Sequence, residues 1–179
     1  FIMVKNNIIL EIEKLLNSKK ILDYNILSNS FGINCLKIET EDKERYIVKY
    51  YYKKEGRFNA IRSEADNILF LNSHKFNFFP KIINNNNKFL IMSFIDNNNN
   101  LPIKTNDDLL SAIISLHSKR SNNYGFNFDT QIGGLKQLNY NSKNWVEFYR
   151  DKRLHYIFDL INKNQPMDKS LNTKIELLL

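Results

Sequence analysis

The stretch from Arg45 to Leu71 limits what this chain can fold into more than any other. It opens Arg-Tyr-Ile-Val-Lys-Tyr-Tyr-Tyr, a run of β-branched and aromatic residues suited to a pleated, half-buried strand. Alternation puts Ile47, Lys49 and Tyr51 on one face and Tyr46, Val48 and Tyr50 on the other. A lysine in the middle of such a strand is costly to bury unless an anion meets it. After a polar break at Lys53 to Gly56, Phe58, Ile61, Ala65, Ile68 and Leu69 recur at helical spacing, with Glu64 at the edge of the stripe. Strand and helix together therefore offer a cation and a matching carboxylate.

The remaining elements are read in order around that pair. Ile8, Ile9, Ile12, Leu15 and Leu16 trace one face of a helix from Val4 to Ser18, with Glu11, Glu13 and Lys14 outside. Strands are predicted over Ile21 to Leu27 and Ile33 to Thr40, joined by a loop Ser28-Asn29-Ser30-Phe31-Gly32. Glu41-Asp42-Lys43 turns the chain into the Lys49 strand. Phe79 to Ile83 and Lys88 to Ile95 form a further pair around the turn Asn84 to Asn87. Asn97 to Asn100 reads as a low-complexity linker. Thr105-Asn106-Asp107-Asp108 opens a helix whose apolar face holds Leu109, Leu110, Ile113, Ile114 and Leu116 and ends at His117, a packing or capping residue rather than a catalyst. Lys119 to Ser142 is loop-like and holds Gly125, Gly133 and Gly134. Ser142 opens a long helix lined by Trp145, Val146, Tyr149, Arg153, Tyr156, Ile157 and Leu160; Pro166 breaks it, and a last helix starts at Met167.

This order predicts an α+β chain: a five-stranded antiparallel small lobe with one inserted helix over residues 1–96, then the first helices of an α-helical large lobe over residues 97–179. No apolar run reaches the ~20 residues of a membrane span, and no secretory signal follows Phe1, so the expectation is a soluble protein. The single cysteine, Cys35, fits a reducing cytoplasm. A chain opening on Phe1 suggests a start at Met3 or a piece of something longer. The net charge of +7 does not argue for nucleic acid. The lysines are scattered, and Lys, Asn, Ile, Phe and Tyr are together the residues that A/T-rich codons specify.

A strand lysine answered by a helix glutamate, the lysine free to reach a nucleotide's phosphates, is the device of protein-kinase small lobes. On Lys49 and Glu64 alone, the plainer reading of a snorkelling lysine and a solvated glutamate is preferred. The loop before Ile33 has a single glycine, Gly32, and reads as an ordinary turn. More specific residues lie downstream: Tyr-Gly-Phe-Asn-Phe-Asp-Thr-Gln-Ile-Gly from Tyr124 to Gly133, then Gln137 and Asn139, then Asn-Trp-Val-Glu-Phe-Tyr-Arg-Asp-Lys-Arg-Leu from Asn144 to Leu154. With Ile33-Asn34, Val48-Lys49, Glu64-Ala65, Leu90 to Ile95 and Leu116-His117, this series resembles the fructosamine/ketosamine-3-kinase family from about Leu27 to Ile161. Those proteins have the fold of aminoglycoside phosphotransferases, related to protein kinases.

The resemblance implies ATP and Mg2+ as cofactors and a sugar-amine (ketosamine) substrate on small molecules or proteins, for protein deglycation. Lys49 would contact the phosphates, Glu64 would hold Lys49, Gly32 and Asn34 would lie on the phosphate side, and Met92, Ser93, Phe94 and Ile95 would carry the adenine-side hinge. Gln137, Asn139 and Trp145 fall on the substrate side. The glycine-poor loop departs from the family, and Ser93 stands where it commonly has an acid. The family's His-Gly-Asp catalytic loop is expected beyond Leu179, leaving no catalytic or metal-holding residue in this chain. His155, Asp159 and Asn162 mimic a His…Asp…Asn order but are spaced for a helix. The alternatives are a non-catalytic remnant or pseudokinase-like module that binds nucleotide or a partner, with apolar surface open to dimerisation, and another kinase of this fold acting on choline, aminoglycosides or thiamine.

Overall fold

In the computed structural model, described for residues 4–53, 58–76, 78–97, 106–132 and 135–179, a five-stranded antiparallel sheet separates two helices. The chain divides into two units, Phe1–Asn106 and Asp107–Leu179. The first comprises α1 (Asn6–Leu15), β1 (Ile21–Ser30), β2 (Ile33–Thr40), β3 (Arg45–Tyr51), α2 (Ala60–Ser73), β4 (Ile82–Asn85) and β5 (Phe89–Ser93), with strand order β1-β2-β3-β5-β4. Period-2 alternation gives the sheet two apolar faces. Leu36, Ile38, Tyr46, Val48, Tyr50, Phe89 and Ile91 pack with Val4, Ile8, Ile12 and Leu16 of the α1 segment. Leu90 and Met92 pack with Ile61, Ala65 and Ile68 of α2, flanked by Ile33, Ile47, Tyr51 and Ile82. The predicted faces of β3 are the observed ones.

Several local expectations need correction. Glu13 is buried rather than outside: it accepts hydrogen bonds from the Ile21 N–H at 3.0 Å and from Lys20 Nζ at 3.1 Å, joining the end of α1 to the start of β1. The Ile21 N–H is the main reason its carboxyl sits below the usual carboxylate range. Leu69 is 45% exposed, because the stripe that meets the sheet runs Ile61, Ala65, Ile68 and turns away before it. Phe58 precedes α2, whose N-cap is Asn59. The loop expected at Ser28–Gly32 is a two-residue turn: Ser30 pairs with Ile33, and only Phe31 (φ 50°) and Gly32 (φ 73°) lie between. Ser28, Asn29 and Ser30 read as loop because β1 is a solvent-facing edge strand, where the ladder with β2 tolerates polar side chains. Phe79 to Lys81 stay outside β4, and the β4–β5 turn is closed by Asn86, whose side-chain oxygen accepts from the Lys88 and Phe89 N–H groups at 2.8 Å.

The second unit holds α3 (Asn106–His117), a short hairpin of β6 (Thr130–Ile132) and β7 (Leu135–Gln137), α4 (Trp145–Tyr149), a π-helical segment (Arg150–His155), α5 (Tyr156–Asn164) and α6 (Lys169–Leu178). The stretch expected to be loop therefore contains a hairpin, and Ser142 bridges Tyr124 through N–H···O bonds of 2.8 and 3.0 Å instead of opening a helix. Asn144 is the actual N-cap, accepting from the Val146 and Glu147 N–H groups. The wide turns from Arg150 replace the 3.6-residue period expected from Trp145 to Leu160, and of that row Tyr149, Arg153 and Ile157 line one surface cavity. Phe148 and Phe158 are the buried residues, while Trp145 and Val146 are half or more exposed. Leu109, Leu110, Ile113 and Ile114, the apolar residues expected on α3, are exposed. Thr105, Asn98 to Asn100, Gly133 and Gly134 lie outside the described residues. Gly125 has φ +92°, and a Cβ there would come within 2.1 Å of the Tyr140 carbonyl oxygen, so only glycine fits.

Phe31 holds a left-handed conformation that Asn adopts more readily, and Asn-Gly is the preferred pair for such a hairpin turn. Phe31→Asn should stabilise the chain by roughly 1 kcal/mol. In urea unfolding this appears as a higher midpoint at unchanged slope; a lower midpoint would mean that the Phe31 ring packs against something it stabilises.

Candidate functional site

Lys49 stands at the centre of β3, opposite Cys35 of β2 and Leu90 of β5. Its Nζ donates to Glu64 Oε1 at 2.6 Å. Side-chain exposures of 27% and 26% leave the pair at a rim rather than inside the core. Three contacts aim Glu64. The Asn59 side chain caps α2 by accepting from the Arg62 N–H at 2.9 Å. The Asn59 Nδ2 donates to the Asn87 carbonyl at 2.8 Å, tying the helix to the β4–β5 turn. The Ala60 N–H donates to the Tyr51 hydroxyl at 2.9 Å, tying it to β3. A part-exposed ion pair stabilises the fold little. It does fix the ammonium, which keeps further donors for an anionic ligand. Cys35 faces the same way, and burial pushes its thiol pKa up while the Lys49 charge opposes the shift.

The other residues expected around Lys49 are not all brought to it. Gly32 forms the hairpin tip, its carbonyl accepting from the Tyr52 and Lys53 N–H groups at 3.0 and 3.3 Å. Asn34 lies on the opposite face of the sheet, 2% exposed, where it accepts from Asn29 Nδ2 at 2.8 Å and donates to the Tyr50 hydroxyl at 2.7 Å. Met92 is buried under α2. Ser93 ends β5: its Oγ accepts from the Lys81 N–H and its own N–H donates to the Lys81 carbonyl, both at 2.9 Å. Only Phe94 and Ile95 lie past the strand. The Phe94 N–H donates to the Arg45 carbonyl at 3.2 Å, and Ile95 is 50% exposed.

In the second unit, Gln137 and Asn139 belong to a polar knot. Gln137 Oε1 accepts from Thr130 Oγ1 at 3.3 Å. Asn139 Nδ2 donates to the Phe128 carbonyl and Thr130 Oγ1 at 3.1 and 3.0 Å, and its Oδ1 accepts from Arg153 at 2.9 Å. Arg153 also donates to the Leu138 carbonyl at 2.6 Å and lies 4.8 Å from the Phe148 ring centre. Burial lowers its pKa. Asp129 pairs with Lys136 at 2.7 Å and accepts from the Asn139 N–H at 2.8 Å. Burial pushes its carboxyl up, but these two partners outweigh that and hold it below the usual range. Trp145 is 50% exposed and joins an aromatic cluster with Tyr124 and Tyr149 at 5.5 and 5.2 Å. Asn162 donates to Asn172 Oδ1 at 2.7 Å and accepts from the Met167 N–H at 3.1 Å, holding the α5–α6 corner. Among the described residues no three His, Cys, Asp or Glu side chains converge as a metal site.

The fructosamine kinase family model matches residues 8–178. A protein-ribulosamine 3-kinase, chloroplastic, of Arabidopsis thaliana is 36% identical over 70 residues, 38% of this chain and 21% of the relative. A candidate fructosamine-3-kinase from Thermobifida fusca YX-ER1 superposes with a TM-score of 0.76 at 17% identity, covering 93% of this chain and 58% of that one. A second, from Haemophilus somnus 129PT, gives 0.72 at 18% identity over 88% and 54%. The APH(2")-IIa protein in its gentamicin complex gives 0.58 at 18% identity over 98% and 56%. The fold is thus kinase-like, and the chain spans a little over half the length of these solved structures.

Replacing Asn139 by Leu removes the acceptor that faces Arg153 and should destabilise the chain by about 2 kcal/mol in urea unfolding. Arg153→Met in that background should add clearly less than it does alone. Additive effects would show that the two side chains are not one unit.

Proposed function

This chain belongs to the fructosamine kinase family, and on that premise we propose that its first unit is the ATP-binding lobe of a phosphotransferase acting on ketosamine adducts. The observation that carries the reading is the 2.6 Å contact of Lys49 with Glu64 at the part-exposed rim between the sheet and α2. Lys49 binds and orients phosphate oxygens, with Glu64 keeping the ammonium extended, so that charge on the transferring group meets a preorganised cation. The Phe31-Gly32 hairpin tip covers the phosphates with backbone, and the main chain from Phe94 meets the base. ATP supplies the phosphoryl group; the acceptor is the 3-hydroxyl of a sugar joined to an amine, and breakdown of the phosphorylated adduct frees that amine.

Magnesium, which such transfers use, does not fit the described side chains by themselves. Glu64 is engaged with Lys49, and no carboxylate cluster stands beside it. No step is derived through the metal. The proton-accepting carboxylate is likewise not assigned to any residue of this chain. On the acceptor side, the exposed ring of Trp145 is the group available to a sugar, whereas Gln137 and Asn139 shape the hairpin through internal bonds. Among the described residues no helix is long and apolar enough to cross a membrane.

Loss of a charge-assisted contact to phosphate makes Lys49→Ala weaken ATP binding by roughly tenfold to a hundredfold, read by isothermal titration calorimetry. Thermal unfolding should stay close to that of the parent chain. A variant that unfolds would make Lys49 a structural residue, and unaltered ATP affinity would end the proposal.

A further inference from the structure

Two side chains of β3 reach α2, and they meet it one turn apart. Lys49 Nζ donates to Glu64 Oε1 at 2.6 Å, and the Tyr51 hydroxyl accepts from the Ala60 N–H at 2.9 Å. Lys49 and Tyr51 are same-face neighbours on the strand, about 6.6 Å apart. Ala60 and Glu64 are same-face neighbours on the helix, about 6 Å apart along its axis. The spacings match, so the two contacts are successive rungs between β3 and a helix that runs back along it. One rung fixes a point; two fix the height of the helix and its rotation together. The apolar contacts of Ile61, Ala65 and Ile68 with Leu90 and Met92 are non-directional and constrain that setting less sharply.

Ala60 opens α2 and is buried, so its N–H, which has no partner within the helix, must be met by another part of the fold. The Tyr51 hydroxyl meets it, while the Tyr51 ring packs beside Ile61 and Ala65. The same end of β3 also holds the hairpin tip. Tyr51 pairs with Ile33, and the next two N–H groups, of Tyr52 and Lys53, donate to the Gly32 carbonyl. Hairpin, sheet and helix are thus joined at Tyr51 to Lys53. On the reading that Lys49 holds phosphate, we propose that Tyr51 is a positioning residue for the nucleotide: its hydroxyl, acting through α2, keeps Glu64 where it extends Lys49 toward the phosphates. The ring supplies burial and the hydroxyl supplies the register. Removing the hydroxyl alone releases the first turn of α2 from β3 and loosens the Lys49–Glu64 rung beside it.

The test is calorimetric titration of ATP with magnesium chloride into the 179-residue chain and its Tyr51→Phe, Glu64→Ala, Lys49→Ala and combined Tyr51→Phe, Glu64→Ala variants, with circular dichroism and urea unfolding as fold controls. Tyr51→Phe keeps the packed ring and should lower ATP affinity roughly fivefold with an unchanged spectrum. In the Glu64→Ala background the same change should alter affinity less than about twofold, because the contact it positions is already gone. A merely structural hydroxyl would shift the urea midpoint and leave ATP affinity alone, which would overturn the inference, as would a Tyr51→Phe chain that unfolds. Equal losses in the two backgrounds would mean that the hydroxyl acts on the ligand itself and would overturn it too. So would an ATP affinity untouched by Glu64→Ala. In each of these cases weaker binding by Lys49→Ala leaves the Lys49 reading intact. Failure of ATP to bind the parent chain, or binding indifferent to Lys49→Ala, would overturn this inference and the Lys49 reading together.

Discussion

The contact between Lys49 and Glu64 is the point at which the two halves of the first unit are made to agree. A charged lysine halfway along a central strand holds its place only with a counter-charge, and the counter-charge comes from a helix separated from it by a polar connection. That requirement agrees with the rotation of α2 that packs Ile61, Ala65 and Ile68 against the sheet. The Asn59 cap and the Tyr51 hydroxyl fix the height of the helix over the sheet. Charge pairing gives orientation here, and apolar burial on both faces of the sheet gives stability.

Where residue periodicity is strong, the sequence is legible. The alternation of β3, the helical spacing around Glu64 and the order of five strands with one inserted helix all lead to the observed first unit. The family resemblance carried by Tyr124 to Leu154 is legible too. Legibility fails where the backbone, not composition, decides. Ser28 to Ser30 look like a loop and are strand, because an edge strand needs only its ladder. Strands of three residues, as in β6 and β7, are too short to show a period. Glu13 is hidden by a backbone N–H that only folding delivers. Asn34 is a different case: Leu36 and Ile38 share its parity and mark its face as the one under α1, so a clue to its placement away from Lys49 was present. The parity of Cys35 and Lys37 is equally plain, and marks them as neighbours of Lys49.

The second unit is organised by polar groups to a degree that the first is not. Asn139 and Arg153 connect a hairpin to a π-helical segment, and Asn144, Asn162 and Asp168 each settle a helix end or corner. Arg153 meets carbonyl and amide oxygens, so its charge is solvated by the protein rather than neutralised. Such an arrangement fixes the position of the hairpin against the helical segment.

The long outer strand carries one further implication. β1 ends the sheet with ten residues and pairs with β2 on one side only, while Leu22, Ile26 and Leu27 are exposed along it. A straight strand of that length would template the strand of another molecule. Two register shifts, between Ile21 and Asp23 and between Ile26 and Ser28, break the ladder into short runs. Irregular pairing thereby guards the chain against fibrous self-association along this edge, a role that charged side chains fill in many other proteins and that Asp23 alone could not fill here.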